Sequence, residues 1–79
     1  MFIRSSRELG EAIRQARRRQ GLTQAALAAR AGVRQALISD LETGVTRARL
    51  DTILTVLGAL QLDLTLAPRR DDDFDPAAY

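Results

Sequence analysis

Three glycines cut this chain into short helical pieces. Gly21, Gly32 and Gly44 each follow a run whose apolar residues recur at helical spacing. Glycine takes a left-handed backbone without a steric penalty, so it often sits just past the last turn of a helix. Stops this close together leave room for helices of only about two to four turns. Such helices are marginal alone in water and must be held by packing against one another. The expected architecture is a small all-α bundle.

The start signals agree with the stops. Ser5-x-x-Glu8 reads as a capping box at the head of a first helix over 6–19, with Leu9, Ile13, Ala16 and Gln20 on one face. Thr23 is a natural N-cap for a second helix over 24–30, whose inner face is Leu27, Ala28 and Ala31. A third helix begins near Arg34, turns Leu37, Ile38 and Leu41 inward, and ends at Thr43-Gly44. After a loop over 45–49, a fourth helix carries Leu50, Ile53, Leu54 and Leu57 on one face and ends near Ala59.

The period then changes. Leu60, Leu62, Leu64 and Leu66 alternate with Gln61, Asp63, Thr65 and Ala67, and Pro68 stops the run. A period of two is the signature of a half-buried strand. A single strand leaves its backbone groups unpaired, so this one needs a partner. Two partners fit: the same strand of a second copy around a two-fold axis, or the Phe2–Ile3 segment. The remaining "RRDDDFDPAAY" is charged and aperiodic and reads as a flexible tail. Phe74 or Tyr79 would anchor it on a basic partner, or it is an inert solubilising extension. The spacing of its aspartates lacks the glycine turn and closing glutamate of a calcium loop.

Composition narrows the function. There is no cysteine and no histidine, which removes the usual thiolate and imidazole metal ligands and the commonest general base. Ser5, Ser6 and Ser39 have no histidine partner and no nucleophile-elbow setting. An enzyme, a metal centre and a cofactor site are therefore not expected. No stretch approaches 18 uninterrupted apolar residues, and Met1-Phe2-Ile3 is too short for a signal-peptide core. The expectation is a soluble cytoplasmic protein without a membrane partner. All twelve basic residues are arginines between Arg4 and Arg70, while four of the ten acids crowd into the last nine positions. Without that tail, twelve arginines face six acids and the body carries +6. Such a balance suits a polyanionic partner, although solvated helix faces in an arginine-rich protein read the same way.

Helices two and three make the sharper case. Ala28 is small where a crossing helix must pass close, Gly32 suits the turn, and Val33, Ile38 and Leu41 anchor the third helix from one side. Arg34, Gln35, Ala36, Ser39 and Asp40 are then left on its outer face. Arginine and glutamine suit guanine and adenine edges, and alanine can touch a thymine methyl. The first turn of such a helix is the part that enters a major groove.

Residues 9–57 resemble the Cro/CI-type helix-turn-helix (XRE) family. The resemblance rests on Thr23-Gln24-x-x-Leu27-Ala28, on Ala31-Gly32-Val33, and on Ile38-Ser39-x-x-Glu42-x-Gly44. It implies a lambda-repressor-like fold and a buried ion pair between Arg17 and Glu42. It also implies a phosphate contact from Gln24, beside Thr23, where a helix N-terminus favours an anion in any case. Arg47 and Arg49, in the following loop, are either further phosphate contacts or solvated charges. Such contacts set register without specifying sequence.

A fourth helix running straight into a strand is similar to the HipB-type antitoxins, over residues 5–67. That resemblance implies a homodimer with a two-stranded lid, a palindromic double-stranded DNA operator, and a HipA-type serine/threonine kinase toxin as partner. It implies base contacts for Arg34, Gln35, Ala36 and Ser39. The apolar Leu37 and acidic Asp40 depart from what is common at their positions. The expected layout is a DNA-binding domain over 1–59, a dimerisation strand over 60–67 with Leu60, Leu62, Leu64 and Leu66 on one face, and an acidic tail over 68–79. Two other readings stay open: a stand-alone or phage-type repressor with no toxin, and a protein-binding inhibitor with only residual DNA binding.

Overall fold

A computed structural model describes residues 2–45 and 47–69. Four helices follow one another: α1 (Ser6–Arg19), α2 (Gln24–Ala31), α3 (Gln35–Thr43) and α4 (Leu50–Ala59). α1 packs against α3, and α2 packs against both α3 and α4. The expected tail anchors Phe74 and Tyr79 lie outside the described residues.

Local chemistry accounts for the helix ends. Ser5 Oγ accepts the Glu8 amide at 3.1 Å, as a capping box requires. The reciprocal bond is displaced by one residue, because Glu8 Oε1 accepts from the Arg4 amide at 3.1 Å. Thr23 Oγ1 accepts the Ala26 amide at 3.0 Å and caps α2. Each helix ends in a paired closure of the Schellman type. At α2 the Val33 amide reaches the Ala28 carbonyl, which the left-handed Gly32 (φ +71°) permits. α4 closes in the same way on Gln61, whose φ of +58° is the one positive non-glycine value among the described residues.

Every helix contributes to one core. Ile13 and Ala16 come from α1, Leu27 and Ala28 from α2, Ile38 and Leu41 from α3, and Val56, Leu57 and Leu60 from α4 and its cap. Fully burying one of the larger aliphatic side chains contributes about 1.5–3 kcal/mol. The inward face of α4 differs from the expected one. Leu50 and Leu54 are 62% and 45% exposed, while Val56 and Leu60 are buried. The leucine-rich sequence carries two overlapping helical stripes that share Ile53 and Leu57. The stripe ending in Leu60 is the one that reaches the core.

That choice corrects the expected strand at its start. Leu60 is the C-cap of α4, held by its amide on the Val56 and Leu57 carbonyls, and is 1% exposed. It belongs to the domain core and not to a strand face. The Leu62 amide is also taken by the Leu57 carbonyl. Residues 63–69 are exposed and form neither helix nor strand, and Phe2 and Ile3 are exposed and form no hairpin with them.

α1 and α3 meet backbone to backbone at Gly10. A Cβ built there would collide with the Leu41 carbonyl oxygen and lie 2.9 Å from the Glu42 carbonyl carbon. Gly10→Ala improves helix propensity by about 1 kcal/mol. It forces α3 away from α1, and overpacking of this kind costs about 1–3 kcal/mol or more. The expected outcome is a net loss of stability and a midpoint of thermal unfolding lowered by several degrees. A raised midpoint would contradict the close approach.

Candidate nucleic-acid interface

The candidate surface begins at the turn between α2 and α3. Gly32 reverses the chain, half-buried Val33 pins it, and Arg34 takes an extended backbone (φ −75°, ψ 146°) as the N-cap of α3. Ile38 and Leu41 are buried, and Leu37 is half-buried behind them. Arg34, Gln35, Ala36 and Asp40 therefore face solvent, and Ser39 is half-exposed at the edge. The side chains of Arg34 and Gln35 make no hydrogen bond or ion pair among the described residues. The four expected base-reading residues thus share the first turns and outer side of one helix.

α3 has only nine residues, so its aim comes from its surroundings. The main restraint is at its far end. Arg17 Nε donates to Glu42 Oε2 at 2.6 Å and Arg17 Nη2 donates to Glu42 Oε1 at 3.0 Å. The third guanidinium nitrogen, Nη1, donates to the Leu22 carbonyl at 2.8 Å. The pair is enclosed, with side-chain exposures of 12% and 3%. The hydrogen bond that Arg17 donates to Glu42 raises the Arg17 pKa above its ordinary value, and burial works against it. Arginine is charged throughout the accessible range, so the guanidinium stays a cation. One side chain thereby ties α1, the α1–α2 turn and the end of α3.

Gln24 joins this group. Its Nε2 donates to Glu42 Oε1 at 3.2 Å, and the side chain is half-buried. An amide carries two N–H donors, so one remains for a phosphate. Thr23 is likewise engaged through its oxygen and keeps its hydroxyl proton to donate. Neither side chain is the free surface group that the sequence pattern alone suggests. Arg47 is exposed, and Arg49 is exposed with a pair to Asp51 at 3.3 Å. A solvated pair of that kind holds an arginine only weakly.

Two helix ends stand apart from the others. α3 and α4 are headed by Arg34 and Arg49, and neither N-cap side chain bonds the first turn. The leading amides of α3 lack the side-chain acceptors that Ser5 and Thr23 give α1 and α2, whereas in α4 Asp51 Oδ1 accepts the Thr52 amide at 2.8 Å. A cationic residue at the positive end of a helix dipole is unfavourable alone and becomes favourable beside an anion.

Comparison with known proteins settles the family. A helix-turn-helix family model matches residues 13–66. Antitoxin HipB of Escherichia coli K12 is 33% identical over 69 residues, which is 87% of this chain and 78% of that protein. The chain belongs to the helix-turn-helix family that includes the HipB antitoxins. An uncharacterized HTH-type transcriptional regulator of Sinorhizobium fredii is 38% identical over 58 residues, 73% of this chain but 30% of that protein. Among solved structures, a HipB–O4 20mer complex matches with a TM-score of 0.81 at 33% identity, covering 89% of this chain and 99% of that one. A HipA–HipB–O2–O3 complex matches with the same score, identity and coverage. The chain is thus a DNA-binding regulator of the XRE helix-turn-helix type, close to the HipB antitoxins. Among the described residues no helix is long and apolar enough to cross a membrane.

Gly10 and Gln20 carry structural roles that the motif reading passes over. An isolated glycine inside a helical pattern is the signal that points to Gly10. Helical period places Gln20 on the inner face of α1, but nothing local points to its partner, forty positions away. The clamp makes a quantitative expectation. Glu42→Ala strands an enclosed cation and should lower the unfolding free energy by about 3–5 kcal/mol. Arg49→Ala, which breaks an exposed pair, should change it by under about 0.5 kcal/mol. Urea unfolding reads both, and a Glu42→Ala loss as small as that of Arg49→Ala would contradict the clamp.

Proposed function

We propose that the protein is a dimeric repressor that occupies a palindromic operator in its own promoter and neutralises a HipA-type serine/threonine kinase toxin. The observation that carries the DNA part is the outer side of α3. Arg34 and Gln35 stand exposed and unpaired on a helix whose other side is locked into the core. Arg34, Gln35, Ala36 and Ser39 read base edges in the major groove. Thr23, Gln24, Arg47 and Arg49 grip phosphates on either side and set the register. The absence of a side-chain cap on α3 favours the same contacts.

The dimer is supported by unpartnered leucines. Leu50 and Leu54 on α4 and Leu62, Leu64 and Leu66 beyond it are all exposed. A second copy pairing through residues 63–67 satisfies the backbone of that segment and covers this apolar surface. The toxin part rests on similarity to HipB, one of whose solved complexes contains HipA. A second reading, a repressor without a toxin, keeps the DNA part and needs no kinase partner.

Arg34→Ala with Gln35→Ala removes two base readers worth about 1–3 kcal/mol each. Operator affinity should fall by at least about thirtyfold while circular dichroism and oligomeric state stay unchanged. Loss of folding would place these residues in the core and contradict the assignment. Truncation after Leu62 keeps the α4 cap and should give monomers by sedimentation; an intact dimer would refute pairing through 63–67. Co-purification with a HipA-type kinase and suppression of its activity separates the antitoxin from the toxin-free repressor.

A further inference from the structure

The direction in which the chain leaves α4 is fixed from α1. Gln20, the C-cap of α1, donates from Nε2 to the Leu60 carbonyl at 2.8 Å. Leu60 is itself locked in the core. The next residue, Gln61, is held left-handed at φ +58°. Its amide bonds the Gly58 carbonyl at 2.9 Å, and the Leu62 amide bonds the Leu57 carbonyl at 2.9 Å. The last tethers before the exposed segment 63–69 are therefore these three bonds. Glutamine in this backbone region is under strain that glycine would not feel. Gln20 stands one helical turn from Arg17, which holds α3 through Glu42. The exit of the chain and the aim of α3 are thus referred to the same end of α1.

We propose that Gln20 and Gln61 set the operator half-site spacing, as positioning residues that fix the bearing of segment 63–69 on the DNA-reading unit. This rests on the dimeric operator-binding reading above. If two copies join through that segment, its bearing decides where the partner's α3 lies. One added base pair turns a half-site by about 35° and moves it by about 3.4 Å. A dimer discriminates such a step only if its two reading units are held to a smaller angle. Gln61→Gly keeps the left-handed closure available but opens other backbone directions. Gln20→Ala removes the tether from α1 to Leu60.

The test uses the full chain and a set of duplexes carrying two identical half-sites at spacings that differ by single base pairs. A duplex with one half-site serves beside them. Anisotropy gives the affinities, sedimentation the oligomeric state and thermal unfolding the stability. The wild type should prefer one spacing over its neighbours by about tenfold, comparable to one mismatched base pair. Each variant should flatten that preference to about threefold or less and bind the single half-site as the wild type does. Stability should move in opposite directions, up for Gln61→Gly and down for Gln20→Ala. A shared loss of spacing preference then cannot come from a loosened fold. Dimeric variants that keep the wild-type spacing profile would overturn the proposal and leave the dimeric reading intact. A monomeric wild type, or one indifferent to the second half-site, would overturn both.

Discussion

The enclosed pair of Arg17 and Glu42 is the interaction on which the DNA-reading geometry depends. Its three guanidinium nitrogens reach the end of α3 and the turn into α2, and Glu42 passes the connection on to Gln24. A buried ion pair is a poor source of net stability, because removing two charges from water offsets most of their attraction. Its effect here is orientation. A bidentate pair tolerates little rotation, so α3 is fixed in register along α1 as well as packed against it. The glycine contact at Gly10 acts on the same seam, where it lets the two backbones approach closely enough for the pair to close.

That restraint explains how so small a domain presents polar side chains with a defined aim. Nine residues of α3 cannot hold a helix by propensity alone. Apolar anchors grip one side, the clamp grips the far end, and the first two turns are left bare. The base-reading candidates occupy that bare end, and the arginine-headed start of α3 leaves its first amides without a side-chain acceptor. In the proposed reading, affinity from phosphates and selectivity from base edges then fall to different residues on one rigid frame.

Much of this frame is legible in the sequence because its signals are local. Gly21, Gly32 and Gly44 mark three helix ends and Ser5 and Thr23 mark two starts, since caps depend only on neighbouring residues. The outer face of α3 follows from helical period alone. The rotation of α4 does not. Its sequence supports two apolar stripes, and Leu60 decides between them through packing. Leu60 also opens an alternation of leucines, so a period-two reading claims it for a strand when it caps a helix. Gln24 escapes for a related reason. The pattern marks it as a phosphate ligand, but its contact with Glu42 arises only once α2 and α3 have docked. The Gln20–Leu60 bond joins the ends of two helices that no sequence period relates.

The central claim is that α3 reads a DNA sequence from this frame. Titration of the protein against its own upstream DNA, with a scrambled duplex beside it and at several salt concentrations, tests that most directly. The account predicts binding to the upstream duplex tighter than to the scrambled one by about a thousandfold or more. It also predicts affinity for both that falls steeply as salt rises, because phosphate contacts release counterions. Equal and weak binding to the two duplexes would contradict the account.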